Sequence, residues 1–403
     1  MNQVVITGMS YLCALGAGQE AWARLLQAES GINYYQPFLE LSSVPLGLVP
    51  RSFLGMPEIK LLDLDRLTPK IISLVLADAG LTPPLPKLGV VIGSSRSYQQ
   101  KLEELAKQRI LPKSPQDFGK DHPPSGSDFL GKADGFVSLL PHQLAITTAC
   151  LVGSQGAVLA PMAACSTGIW ALAQGYQLIQ SGEYEQVIAG ALESPISPLT
   201  IAGFNKMGAL AATGAYPFDQ KREGLVLGEG GALFILESRQ SAEARRAHIY
   251  GEILGVGLTN DACYANSPGG SSGMRAIRQC LERSQLSELE IDYIHAHGTG
   301  TPLNDRHEAL LIQEIFPQGV PVSSTKGATG HTLGASGSLG VAFCLMALQT
   351  QMLPPCVGLR EPEFDLDFVR IARSSLVKHV LCFSFGFGGQ NAVIALRANG
   401  SKQ

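Results

Sequence analysis

Charge is scarce in this chain. Only 16% of its 403 residues are Asp, Glu, Lys or Arg, and the formal net charge is -4. There is no basic run and no interleaving of aromatic with basic residues, which argues against a nucleic-acid partner. Cysteines at metal-ligand spacing are missing too. Cys13, Cys150, Cys165, Cys263, Cys280, Cys344, Cys356 and Cys382 include no CxxC, and most lie in apolar segments, so neither a disulfide framework nor a zinc site is indicated. The most apolar run, residues 339–348, is too short to span a bilayer and reads as a buried helix. The opening Met-Asn-Gln-Val-Val-Ile-Thr-Gly reads as a strand, without the basic and apolar regions of a signal peptide. These absences point to a reducing, cytoplasmic setting and no membrane. Hydrophobic residues (45%) and glycine (45 residues) are plentiful, which suits a core-rich fold with many tight turns.

Strands are expected at 4–8, 88–93, 158–164, 186–190 and 225–237, with helices at 20–27, 71–79, 94–110, 139–153 and 169–180. The longest loop falls at 112–135. A similar order then repeats: strand 250–257, helix 274–284, strand 291–297, helix 305–316, strand 321–324, helix 334–351, and strands 380–383 and 392–396. Two βα-alternating halves, 1–240 and 241–403, imply a layered α/β architecture of mostly parallel, buried strands. Functional loops would then gather at one end of the strands.

Four stretches carry the chemistry. In Ala160-Pro-Met-Ala-Ala-Cys-Ser-Thr-Gly168, Cys165 sits where a short buried strand hands over to a helix, and the helix N-terminus favours a thiolate. Alone, such a cysteine is an ordinary small hydrophobe. His297-Gly-Thr-Gly-Thr-Pro-Leu-Asn-Asp305 puts a histidine at a strand end, and Lys326-Gly-Ala-Thr-Gly-His331 puts a lysine and a second histidine before a helix. Ser384-Phe-Gly-Phe-Gly-Gly-Gln-Asn391 is a flexible loop whose Phe385 and Phe387 could lean over a pocket. A thiol, two imidazoles and an ammonium, all at strand ends, can share one catalytic mouth. His295 and His297 could also chelate a metal from one strand face, though no third ligand is evident.

Together these stretches resemble the β-ketoacyl-acyl-carrier-protein synthases, condensing enzymes of the thiolase fold. Pro217-Phe-Asp-Gln-Lys-Arg-Glu-Gly-Leu-Val-Leu-Gly-Glu-Gly230 is similar to a further segment of that family, and the motifs follow in family order. The resemblance implies a duplicated αβαβα fold and a decarboxylative Claisen condensation in fatty-acid or polyketide-type biosynthesis. Cys165 would accept an acyl group, with the N–H groups of Cys165 and Phe385 as oxyanion hole. His297 and His331 would assist decarboxylation of a malonyl thioester as neutral Nε donors. Lys326 and Glu308 would hold His331 and its network. Thr299 and Thr301 would bind the phosphopantetheine arm, and Phe218 and Phe385 would shape the pocket, the latter as a gate. No cofactor is implied beyond that carrier-borne arm. The implied partners are acyl carrier protein and a second copy in a homodimer, with a heterodimer on a ketosynthase-like chain as the alternative.

The chain departs from the family in places. Ser95-Arg96-Ser97-Tyr98 replaces a glycine-rich, aliphatic stretch bordering the acyl pocket; a charged Arg96 facing an alkyl chain is costly unless paired, so either it turns outward or the acyl group is short or polar. Phe383 and Gln390 replace the usual Asn and Thr around the gating loop. Basic residues that dock acidic carrier proteins are reduced to Lys60, Arg66 and Lys70. A thiolase would use a second late cysteine, but Cys382 lies inside a strand. A chain-length-factor-type partner would lack the nucleophile that Cys165 supplies.

Overall fold

A computed structural model describes residues 2–55, 61–110, 137–261 and 271–400. The loop expected at 112–135 and Cys263 fall outside these residues. Ten strands form the main path of one sheet: β1 (Val4–Cys13), β2 (Gly89–Gly93), β3 (Val158–Leu159), β4 (Gln186–Glu193), β5 (Gly230–Ser238), β6 (Gly251–Asn260), β7 (Tyr293–His295), β8 (Val322–Ser323), β9 (His379–Gly386) and β10 (Gln390–Arg397). Their spatial order is β3-β2-β4-β5-β1 followed by β6-β10-β9-β7-β8. Read from its outer edge, each set of five has the same order relative to the chain and the same pattern of parallel and antiparallel pairs. The internal repeat, faint in sequence, is plain in topology. Antiparallel pairing of Val4, Val5 and Ile6 with Ile253, Glu252 and Gly251 joins the sets.

The sheet is mixed, not mostly parallel as expected. Only the β2–β3, β2–β4, β7–β8 and β7–β9 pairs are parallel. The tight turn between β9 and β10, with Gly388 and Gly389 at φ +80 and +76, forces an antiparallel hairpin there.

Side-chain alternation along the strands builds the layers. On β4, Val187 and Ala189 face an inner cluster while Ile188 and Leu192 face an outer one. Helices α1 (Leu64–Asp78) and α2 (Gln143–Val152) cover the outer face of the first set, and α5 (Ser271–Ser284), with α6 (Pro302–Ile315) against it, covers the second. Between the sets, α3 (Thr167–Gln180) packs on α7 (Ser336–Thr350). The result is an αβαβα stack. The segment Leu333–Thr350 is apolar enough to cross a bilayer, but it is almost wholly buried inside the fold. Close contact of the two central helices depends on Gly168, where a Cβ would lie 2.5 Å from the Ser338 nitrogen.

Candidate active site

Cys165 does not follow a buried strand. β3 stops at Leu159, Val158 is 40% exposed and Met162 55%, and Ala164 adopts a left-handed φ of +47. Such a conformation in a non-glycine residue costs about 1–3 kcal/mol and persists only where its surroundings hold it. Here they do. Thr167 Oγ1 accepts from the Ala163 N–H at 2.9 Å and donates to the Ala164 carbonyl at 2.7 Å, and the Ser384 hydroxyl donates to the Cys165 carbonyl at 2.9 Å. The strained turn aims the sulfur at the second half of the molecule.

The second half answers with both imidazoles. The Cys165 sulfur and the nearest ring nitrogens of His297 and His331 all lie within 4.8 Å of one another, and the ring centroids are 5.3 Å apart at 82°. All three residues are buried and line a cavity of about 340 Å³ with Thr299, Thr301, Leu225, Phe385 and Phe387. The two threonine hydroxyls are bonded to each other at 2.8 Å.

Hydrogen bonds fix which nitrogen of each ring carries the proton. The Leu333 N–H donates to His331 Nδ1 at 3.1 Å, and the Ser336 hydroxyl lies 2.7 Å from the same atom. Nδ1 is thus an acceptor, and Nε2 carries the proton. Lys326 Nζ, a donor only, stands 3.4 Å from His297 Nδ1 and donates to the His297 carbonyl, which sets the same tautomer. Burial first, then the Lys326 charge, holds both imidazoles well below the ordinary histidine range. Each is a neutral Nε2–H donor.

Lys326 and Glu308 brace His297, not His331 as the family resemblance implied. Glu308 accepts from the main-chain N–H groups of His297 and Gly298 at 2.6 and 2.7 Å. It is buried among these donors, and desolvation pushes its carboxyl up to about 7; burial lowers the Lys326 ammonium. His331 is held instead by Ser336, five residues on, whose role the sequence does not signal.

Two aromatic assignments change. The main-chain N–H that lowers the pKa of the Cys165 thiol belongs to Phe387, not Phe385. Phe385 is still a strand residue, 3% exposed, with its ring 6.1 Å from His297; Phe387 lies beyond the end of β9, 36% exposed, against Phe204 on α4 (Pro198–Lys206). Phe218 lines no part of the cavity. It is fully buried against Phe364 and Phe368, and its N–H donates to Asp305 at 2.7 Å, beneath the turn that carries Gly298.

The thiolate expectation also gives way. Burial pushes the Cys165 thiol up to about 11, and the Lys326 charge, the Phe387 N–H and Arg96 only partly offset it. Burial thus favours the thiol over the thiolate. His295 and His297 do not chelate together: the strand ends at His295, whose ring meets Thr325 at 3.1 Å and Cys382 at 3.8 Å. Arg96 neither points away from this region nor enters the cavity; its guanidinium lies 5.9 Å from the centre of the Phe204 ring.

Comparison with known proteins agrees with this geometry. The β-ketoacyl synthase N-terminal domain matches residues 63–242 and its C-terminal domain residues 250–360. A putative mitochondrial 3-oxoacyl-[acyl-carrier-protein] synthase of Schizosaccharomyces pombe is 32% identical, over 98% of this chain and 99% of its own. A putative polyketide beta-ketoacyl synthase 1 of Streptomyces virginiae is 32% identical over 99% of both. Among solved structures, a type II polyketide synthase acyl-carrier protein in complex with its ketosynthase bound to the hexaketide superposes with a TM-score of 0.87 at 28% identity, covering 99% of this chain and 100% of that one.

Proposed function

The chain belongs to the β-ketoacyl synthase family, acyltransferases of the thiolase-like fold, and from that premise we propose how its own residues run a decarboxylative condensation. The observation that carries the reading is the 4.8 Å cluster of Cys165, His297 and His331 in one buried cavity.

The Cys165 sulfur attacks the carbonyl of a carrier-bound acyl thioester. Charge on the carbonyl oxygen falls to the N–H groups of Cys165 and Phe387. The departing pantetheine sulfur takes the proton that Cys165 gives up, so no strong base is required. Thr299 and Thr301, at the cavity wall, bind the pantetheine arm. A malonyl thioester then enters by the same route, and its thioester oxygen accepts from the two Nε2–H groups. Its carboxylate leaves as carbon dioxide, and the electron pair of that carbon–carbon bond becomes an enolate held by the imidazoles. Neutral donors suit this step, because they stabilise the enolate without protonating it. The enolate carbon attacks the acyl-Cys165 carbonyl, and collapse releases the 3-oxoacyl thioester and a Cys165 thiolate that regains a proton from solvent.

The reaction draws on no resident cofactor, and a buried thiol nucleophile suits a reducing cytoplasm. Acyl carrier protein is the partner that delivers both thioesters. A second copy of the chain is the other: β3 is an open sheet edge among the described residues, flanked by exposed Val158, Met162, Ile146 and Leu151. A chain-length-factor role is disfavoured by the nucleophile itself. The test is to offer acyl-carrier protein and then malonyl-carrier protein. Acyl mass on Cys165 followed by carbon dioxide and a 3-oxoacyl product supports the reading; coupling of two acetyl thioesters without carbon dioxide overturns it.

A further inference from the structure

Cys165 belongs to an apolar cluster that includes Ile196, Ile201, Phe204 and Leu333. Phe387, whose main-chain N–H lowers the pKa of that thiol, sets its ring beside Phe204 with centroids 6.0 Å apart and the planes tilted by 36°. The Arg96 guanidinium stands 5.9 Å from the same Phe204 ring. An acyl group on Cys165 that ran past Leu333 and Phe204, beyond the cavity already described, would meet this guanidinium at its remote end.

That guanidinium has no acceptor among the described residues: it makes no ion pair or side-chain hydrogen bond there. Glu193, the carboxylate at its own backbone, is fully buried and already accepts from the Ser94 hydroxyl, the Ser95 hydroxyl and the main-chain N–H groups of Ser95 and Arg96. A half-buried arginine with five free N–H donors beside an apolar wall is costly until an oxygen meets it, and its planar fork fits a carboxylate best.

We propose that Arg96 is a specificity-determining residue that selects acyl groups bearing an oxygen acceptor, a carboxylate above all, at the end remote from the thioester. This inference rests on the ketosynthase reading above and adds a substrate class to it. Neutral alkyl chains are the disfavoured class, since they would strip water from the guanidinium and return no acceptor.

The test loads wild type, Arg96→Ile and Arg96→Lys with hexanoyl-, 5-oxohexanoyl- and adipoyl-carrier protein, and follows acyl mass on Cys165 over time. Wild type should prefer adipoyl over hexanoyl, with the ketone between them, separating charge from hydrogen bonding. Arg96→Ile should lower the adipoyl-to-hexanoyl ratio by about tenfold or more, the scale of one charge-assisted hydrogen bond. Arg96→Lys should keep the carboxylate preference, which also guards against misfolding of the isoleucine variant. An unchanged ratio in Arg96→Ile, or a wild-type preference for hexanoyl, overturns the inference while leaving the ketosynthase reading intact. If wild type gains no acyl mass from any of the three, the ketosynthase reading itself falls, and Arg96 with it.

Discussion

The two halves of the molecule share a strand order and diverge in what their loops carry. In the first, the loop between β3 and α3 holds Cys165; in the second, the loop between β8 and α7 holds His331. The loop after β2 holds Ser95 and Arg96 in the first half, whereas the loop after β7 holds His297 in the second. One supersecondary plan thus yields a buried thiol on one side and a pair of neutral imidazole donors on the other. Their outer edges differ as well. β8 is covered by the segment around Phe368, whose neighbour Val369 donates to Val322 at 2.9 Å, while β3 has no outer neighbour among the described residues. Duplication supplies the geometry, and loop chemistry divides the work.

Breaking that division should show it most clearly at the nucleophile. Cys165→Ala should abolish acyl mass on the protein and lower condensation at least roughly a thousandfold, measured by product formation. In the other half, His297→Ala or His331→Ala should cut carbon dioxide release about 10²–10³-fold, the scale of one lost oxyanion donor, while acylation of Cys165 survives.

The halves should also answer pH differently. With its thiol raised to about 11, alkylation of Cys165 by iodoacetamide should climb about tenfold per pH unit between about pH 7 and 9. The imidazoles sit below the usual value of 6.5, so their share of carbon dioxide release should stay flat from about pH 8 down to 6, and any step near pH 7 should belong to Glu308 and vanish in Glu308→Gln. Stability should not stay flat. Below about 6.5 the unfolded chain binds protons that the buried rings refuse, so the two rings subtract stability as pH drops while Glu308 adds it, and the thermal midpoint of His297→Ala/His331→Ala should fall less with pH than that of wild type. A smaller effect is expected from Ser336→Ala, which removes one partner of His331 Nδ1 but leaves the Leu333 N–H. A loss of about tenfold in carbon dioxide release, with acylation unchanged, would mark it as a positioning residue.

Much of this was legible in the sequence because the chemistry clusters in short motifs. Cys165, His297, Lys326 and His331 stand at strand ends, and hydrophobic periodicity located those ends to within a few residues. What escaped depends on geometry that residue type does not encode. Phe385 and Phe387 are two apart in one run, and which N–H reaches the sulfur depends on where β9 stops, at Gly386. Phe218 belongs to a matching motif, but its φ of +62 turns it under the His297 loop and away from the cavity. Glu308 lies eleven residues past His297, and only α6 shows that its carboxylate folds back on that histidine's own N–H. Helix position suggested a thiolate, and burial, a tertiary property, reversed it.

The division of labour is tested most directly by carbon dioxide release from malonyl-carrier protein in two variants, Cys165→Ala and the double variant His297→Ala/His331→Ala. The account predicts that the cysteine variant still releases carbon dioxide while the double-histidine variant does not. Release that survives loss of both imidazoles would contradict it.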